Sequence, residues 1–289
     1  MRHFIAFALL VSSTALAQPK AGDKPPTPPA TATAAPAKAP VPAAGKTTVK
    51  WYGHAAFEID LPSGKTILID PWLTNPTNTS GKDDVKSVKA DLILVTHGHF
   101  DHIGDAADIA KRTHAHLVAT FDLGNALVGQ MGFPKDQYGF DTGGNFGGTI
   151  DVLGGEAQIT FVPAVHSSAV GADPSKLAQG GNPGGFVIAV KGGPTIYHTG
   201  DTDLFGDMAL IGSHFKIDLM LACIGDHFTM GPDRAAEAVK LVKAKQVIPM
   251  HFGTFPVLTG TTDAFGKALK KTAPGAKLTV LEVGKSIQL

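Results

Sequence analysis

The chain has 289 residues, of which 43% are hydrophobic and 17% charged, so it can bury one large core or two small ones. Its 25 basic and 25 acidic side chains cancel, which leaves no electrostatic footprint for nucleic acid. The arginines are Arg2, Arg112 and Arg234, too few for a dedicated clamp on phosphate.

In chain order, Met1-Arg2-His3 is a short positive start and Phe4 to Val11 an apolar run. Ala15-Leu16-Ala17 then supplies the small-x-small pattern of a signal-peptidase site, which predicts an export signal over residues 1–17 and a periplasmic or secreted protein. The apolar run is too short for a permanent membrane helix. No cysteine follows Ala17 closely, so neither a lipid anchor nor another stable membrane anchor is expected. Residues 18–46 are dense in proline, alanine and threonine and read as an extended tether. Cys223 is the sole cysteine; it rules out an internal disulfide and, within an apolar run, is expected to be buried and inert.

From Thr47 to Leu289 strand-like and helix-like runs alternate. Strands are expected in TVKWYG (48–53), AFEID (56–60), KTILID (65–70), DLILVTH (91–97), AQITFVPAVH (157–166), GFVIAVKG (185–192), PTIYHTGD (194–201), IDLMLACIGD (217–226), QVIPMHF (246–252) and KLTVLEVG (277–284). Helices are expected at about Gly104–Thr113, Leu123–Met131, Gly206–His214, Pro232–Lys243 and Thr262–Thr272. Gly139–Gly148 and Ser167–Gly185 read as long loops. Strand-rich halves with interspersed helices imply two sheets packed face to face, helices outside.

The chemistry concentrates in DLILVTHGHFDHIGD. His97, His99, Asp101 and His102 place three imidazoles and a carboxylate within six residues, which packing does not explain. Imidazole with carboxylate is a donor set for zinc and related divalent ions. Alternation sends His97 and His99 to one side, and the turn into a helix lets Asp101 and His102 face a second position. His166, Asp201 and His251 each close an apolar strand ahead of a loop. Each alone is weak; together with the first cluster they complete a site.

THGHFDHIGD resembles the HxHxDH signature of the metallo-β-lactamase superfamily. VPAVHSS, YHTGDTDLFGDM, DHFTMGPDRAAEAVK and VIPMHFGTFP are similar to its metal-dependent hydrolase branch, related to the ascorbate-6-phosphate lactonases. The resemblance covers about Val49 to Leu289. It implies an α/β fold, a four-layer αββα sandwich with metals at one edge. It also implies two divalent ions, with zinc favoured and manganese or iron compatible. His97, His99 and His166 would hold the first, Asp101, His102 and His251 the second, and Asp201 would bridge. Asp101 would also move a proton to the leaving group. His54, in a GHxxF-like element, is expected to support the site or touch substrate rather than bind metal, and Asp70 to orient a ligand imidazole. His198 is expected in the core or beside the site. His227 departs from the asparagine common among relatives, leaving a supporting, substrate-facing or surface role open. His114, His116 and His214 lack matching context.

The expected activity is hydrolysis of a small-molecule ester or lactone by a hydroxide held between metals about 3.5–4 Å apart. A phosphodiesterase or β-lactamase of the same fold, a one-iron oxygenase, and a periplasmic zinc carrier without turnover stay open at this point. Against a carrier, the tether contains no histidine.

Overall fold

The computed structural model describes residues 46–171 and 173–289. The expected export signal and all of the expected tether but Lys46 lie outside the described residues. In β1 (Thr48–Trp51) and β2 (Phe57–Asp60), alternation buries Val49, Trp51, Phe57 and Ile59 on one face and leaves Lys50 and Glu58 on the other. β3 (Thr66–Ile69) and β4 (Leu92–Leu94) are buried on both faces, as the covered centre of a sheet requires. Ile67, Ile69, Leu92 and Leu94 join the core shared with the second sheet, while Leu68 and Ile93 pack in a separate cluster. That second cluster includes Ile109 and Ala110 of α3 (Ala106–Thr113) and Leu123 and Leu127 of α4 (Phe121–Gln130). A short polar helix, α1 (Gly81–Ser87), contacts α3. The strands β5 (His116–Thr120) and β6 (Gly143–Gly144) extend the sheet in parallel from β4.

The second sheet starts as a meander of β7 (Thr149–Val152), β8 (Ala157–Pro163), β11 (Gly184–Val190) and β12 (Thr195–His198). It continues in parallel through β13 (Leu219–Cys223), β14 (Gln246–Met250) and β15 (Lys277–Leu278). α5 (Met208–His214), α6 (Pro232–Val242) and α7 (Thr262–Thr272) cover it, adding Ile211, Ala235, Val239 and Phe265 to its core. Proline at the start of α6 loses no needed hydrogen bond. The result is the expected helix–sheet–sheet–helix layering, with seven strands per sheet.

Several expected boundaries change. The helix expected at Gly104–Thr113 begins earlier, as α2 (Phe100–Ile103), and breaks before α3. At the break the Asp105 amide donates to the Pro71 carbonyl, and the Asp105 carboxylate accepts from the Thr74 amide and hydroxyl. Ser167–Gly185 is not all loop: β9 (Ala169–Val170) pairs with β10 (Ala178–Gln179). KLTVLEVG is not one strand. After Leu278 it crosses between the sheets, burying Leu281, and β16 (Ser286–Gln288) pairs with β1.

Candidate metal centre

The site is built where strands end. β3 delivers Asp70, β4 leads through Val95 and Thr96 to His97, β8 to His166, β12 to Asp201 and β14 directly to His251. His54 sits in the turn between β1 and β2. His54, Asp70 and His251 take left-handed backbone (φ 49°, 45° and 59°), uncommon away from glycine. Such residues cost roughly 1–3 kcal/mol each and persist only where their surroundings impose them.

The expected ligands converge in two trios. The ring nitrogens of His97, His99 and His166 lie within 4.8 Å of one another, as do donor atoms of Asp101, His102 and His251, with His54 among the latter. In the first, His99 Nδ1 is 2.9 Å from His97 Nε2 and 3.3 Å from His166 Nε2. Asp201 joins the two: its Oδ2 is 2.9 Å from His251 Nε2, 3.3 Å from His102 Nε2, 3.6 Å from His166 Nε2 and 4.0 Å from His97 Nε2.

Several of these atoms lack hydrogen-bond partners. His102 Nε2, Asp201 Oδ1 and both ring nitrogens of His251 are buried and unbonded. His251 Nε2 lies close to Asp201 Oδ2 yet is not aligned to bond it. A buried polar group left unpaired costs about 1–3 kcal/mol. Clustered donors without protein partners fit a divalent cation, with His251 able to offer one of its ring nitrogens, and the nitrogen and oxygen donors suit zinc, manganese or iron.

Supporting hydrogen bonds fix the tautomers. Asp70, fully buried, accepts from the Thr96 amide (2.8 Å), the Thr96 hydroxyl (2.6 Å) and His102 Nδ1 (2.7 Å). With its proton committed to Asp70, the Thr96 hydroxyl accepts from His97 Nδ1 at 3.0 Å. His97 and His102 therefore both present Nε2 inward, and one carboxylate orients an imidazole in each trio.

Electrostatics separate the imidazoles. Burial, then neighbouring imidazoles, holds His97 and His99 below the usual imidazole range, which keeps them in the neutral ligand form. Burial opposes charge on His102, but Asp201 and Asp70 outweigh it and raise its pKa well above normal. Burial likewise opposes ionised Asp201, yet His251 and His102 hold it well below the carboxylate range. For Asp101, burial is outweighed by the His54 hydrogen bond and by His102, bringing it down to about 2. Burial and His251 bring His54 down to about 4.

The remaining candidates fall elsewhere. His198, fully buried, donates from Nε2 to the Ala55 carbonyl and accepts at Nδ1 from the Gly200 amide. It thus ties the turn holding His54 to the loop holding Asp201. His227 is exposed, edge-on to Phe228 at 4.4 Å, and belongs to neither trio. His114 caps α3, His116 is exposed, and His214 bonds the Leu210 carbonyl within α5. Sequence reasoning missed Thr96 and Thr254, whose hydroxyls hold His97 and His54; adjacency to His97 is the one available cue for Thr96. A cavity of about 360 Å³ opens onto Asp101, His166, Asp201 and His251. Comparable hollows, such as one of about 390 Å³ beside Asp91, lack converging donors, so chemistry rather than size selects the site.

Residues 65–252 match the β-lactamase superfamily domain. The chain belongs to that superfamily. Within it, the chain is 55% identical over 253 residues to a UPF0173 metal-dependent hydrolase of Thermodesulfovibrio yellowstonii, covering 86% of this chain and 95% of that one. A UPF0173 metal-dependent hydrolase of Anaeromyxobacter sp. (strain K) is 54% identical over 249 residues, covering 86% and 89%. This superfamily member also matches the structure of Igni18, a metallo hydrolase from the hyperthermophilic archaeon Ignicoccus hospitalis, with TM-score 0.73 and 34% identity over 84% of this chain and 98% of that one. The metallo-β-lactamase fold protein YhfI from Bacillus subtilis shares the fold, with TM-score 0.60 at 15% identity over 85% and 100% of the chains.

Proposed function

We propose that this metal-dependent hydrolase is binuclear and cleaves a small carboxylic ester or lactone. The observation that carries the reading is the placement of Asp201 Oδ2 between the trios, within 4.0 Å of nitrogens from both. His97, His99 and His166 would hold one divalent ion, Asp101, His102 and His251 the other, with Asp201 between them and zinc the favoured metal. When bound, the pair supplies an activated water and a Lewis acid for the scissile carbonyl.

The chain's own residues do the rest. Asp70 and Thr96 hold His97 and His102 with Nε2 inward. Asp101, ionised well below neutral pH, takes a proton at Oδ1 or Oδ2 and returns it to the leaving oxygen. It lines the cavity, so a substrate reaches it. The ligands sit at strand ends rather than in a flexible histidine-rich tract, which favours turnover over metal carriage.

The test is metal analysis with a panel of ester, lactone, phosphodiester and β-lactam substrates. About two ions per chain and turnover of esters or lactones are expected, with Asp101→Asn lowering turnover more than tenfold. One ion per chain under excess zinc, or full activity in His102→Ala, would reject the binuclear site. Metal binding without mutation-sensitive turnover would favour a carrier.

We also read the chain as exported, supported by the apolar run Phe4 to Val11 and the Ala15-Leu16-Ala17 pattern. N-terminal sequencing of the mature protein should begin at Gln18; a retained Met1 overturns this.

A further inference from the structure

Residues of the two trios and Asp201 make up part of the cavity wall, and two phenylalanines make up most of the rest. Beyond the five histidines and aspartates, the wall of the roughly 360 Å³ cavity consists of Phe100, Ser167 and Phe228. Neither lysine nor arginine is among them. Arg234, close in sequence to Phe228, is committed through Nε and Nη2 to both oxygens of Asp203, each at 2.6 Å. Phe100 and Phe228 are 59% and 56% exposed, where an apolar ring ordinarily gains by burial. Phe100 is not isolated: its ring centroid lies 5.7 Å from Trp72 and 6.3 Å from Phe255, and Trp72 stacks on Phe255 at 5.8 Å. Phe100 is thus the exposed member of an aromatic cluster that packs on His54 beside the cavity.

Phe228 is held in place at some cost. Asp226 and His227, just before it, both adopt left-handed backbone (φ 63° and 57°). The loop is tied down by the Asp226 carboxylate, which accepts from the His227 amide at 2.9 Å and the Thr259 hydroxyl at 3.3 Å. Backbone strain imposed around an exposed ring is the pattern of a residue positioned for contact. An exposed apolar surface rimming a polar centre marks a ligand-binding mouth. The volume is near the lower end of the range for small-molecule pockets.

We propose that the site selects an uncharged ester or lactone by an apolar acyl group of several carbons, laid against Phe100 and Phe228. This inference rests on the ester-hydrolase reading above. The carbonyl lies over the trios, the alkyl chain leaves along the rings, and no lysine or arginine in the wall adds a second charge contact for a phosphate.

Two measurements on the full zinc-loaded chain test this. The first is turnover of p-nitrophenyl acetate, butyrate, hexanoate and octanoate, with bis(p-nitrophenyl) phosphate alongside. The second is calorimetric binding of butyrate, hexanoate and octanoate, which needs no turnover. Both kcat/KM and affinity should rise up to about fourfold per methylene until the cavity is filled. Phe228→Ala and Phe100→Ala should flatten that slope, and Phe228→Leu should restore part of it. If no ester is turned over yet carboxylates bind with the slope, the hydrolase reading fails and the apolar subsite stands. A flat series in both, absence of binding, or a preference for the phosphodiester overturns the subsite. Binding of phosphatidylcholine vesicles with a flat carboxylate series overturns it too, and assigns the rings to a lipid surface.

Discussion

His54 Nε2 lies 3.1 Å from Asp101 Oδ2, and the ring is held from behind by Thr254 Oγ1 at 2.8 Å from Nδ1. Asp101 is thereby gripped by a residue 47 positions away in the chain. With Nε2–H donated to Asp101, the imidazole stabilises the ionised carboxylate and fixes its rotamer. Loss of that donor should raise the Asp101 pKa from about 2. Activity that requires ionised Asp101 is lost as pH falls through its pKa, so the acid limb of the kcat/KM profile in His54→Ala should move to higher pH. A drop in kcat/KM of about tenfold or more is expected with His97, His99 and His166 undisturbed. An acid limb at the wild-type position would show that His54 does not act through Asp101.

Asp70→Asn tests the carboxylate that orients both trios. Asparagine tolerates the left-handed backbone at this position, so the turn should persist. His102 Nδ1 and the Thr96 hydroxyl share Oδ2 and the Thr96 amide uses Oδ1, so an amide NH2 at either position would face a donor. Metal affinity should fall about tenfold to hundredfold, read by competition with a chromogenic chelator. Unchanged affinity would remove Asp70 from the support of the site.

Gly98→Ala probes the close approach of the β9–β10 hairpin. A Cβ there would meet Val170 Cγ2 at 2.5 Å and the Ala169 carbonyl oxygen at 2.8 Å. The Gly98 amide also donates to Ser168 Oγ at 3.1 Å. Overpacking of this kind costs about 1–3 kcal/mol, and here it displaces His97 and His99 together. A lower denaturation midpoint and a lower metal content are expected in the same variant. A change in stability alone would uncouple the hairpin from the ligands.

Cys223 should be silent toward thiol reagents. Its side chain is fully buried, and burial followed by the nearby Asp201 charge pushes its pKa up to about 11. Thiolate is therefore scarce at neutral pH and unreachable in the folded chain. Reaction with a disulfide reagent should be slow in native protein and rapid in denaturant. Rapid native labelling would show that the second sheet opens around β13.

Much of this was legible in the sequence because strand ends carry the chemistry. The apolar runs that close in His97, His166, Asp201 and His251 announce both a strand and its polar terminus. The αββα layering follows from the same alternation. Other features have no such signature. α1 is too polar for helical periodicity, and the linkage of Thr74 to Asp105 marks the break between α2 and α3. KLTVLEVG passes from β15 in one sheet toward β16 in the other, with Leu281 its one buried residue, rather than forming one strand. Thr96, Thr254 and Phe228 depend on contacts between distant segments, and a short hydroxyl or a lone ring in one sequence carries no mark of that use.

The pairing of β16 with β1 also bears on how the chain is made. Ser286–Gln288 supplies the outer neighbour of β1, and the Leu289 amide donates to the Thr47 carbonyl. A ribosome delivers β1 long before β16, so β1 keeps a bare edge, free to pair with another chain, while the strands between them are made. The half that carries His54 and Asp70 therefore reaches its final pairing only after the second sheet has been made.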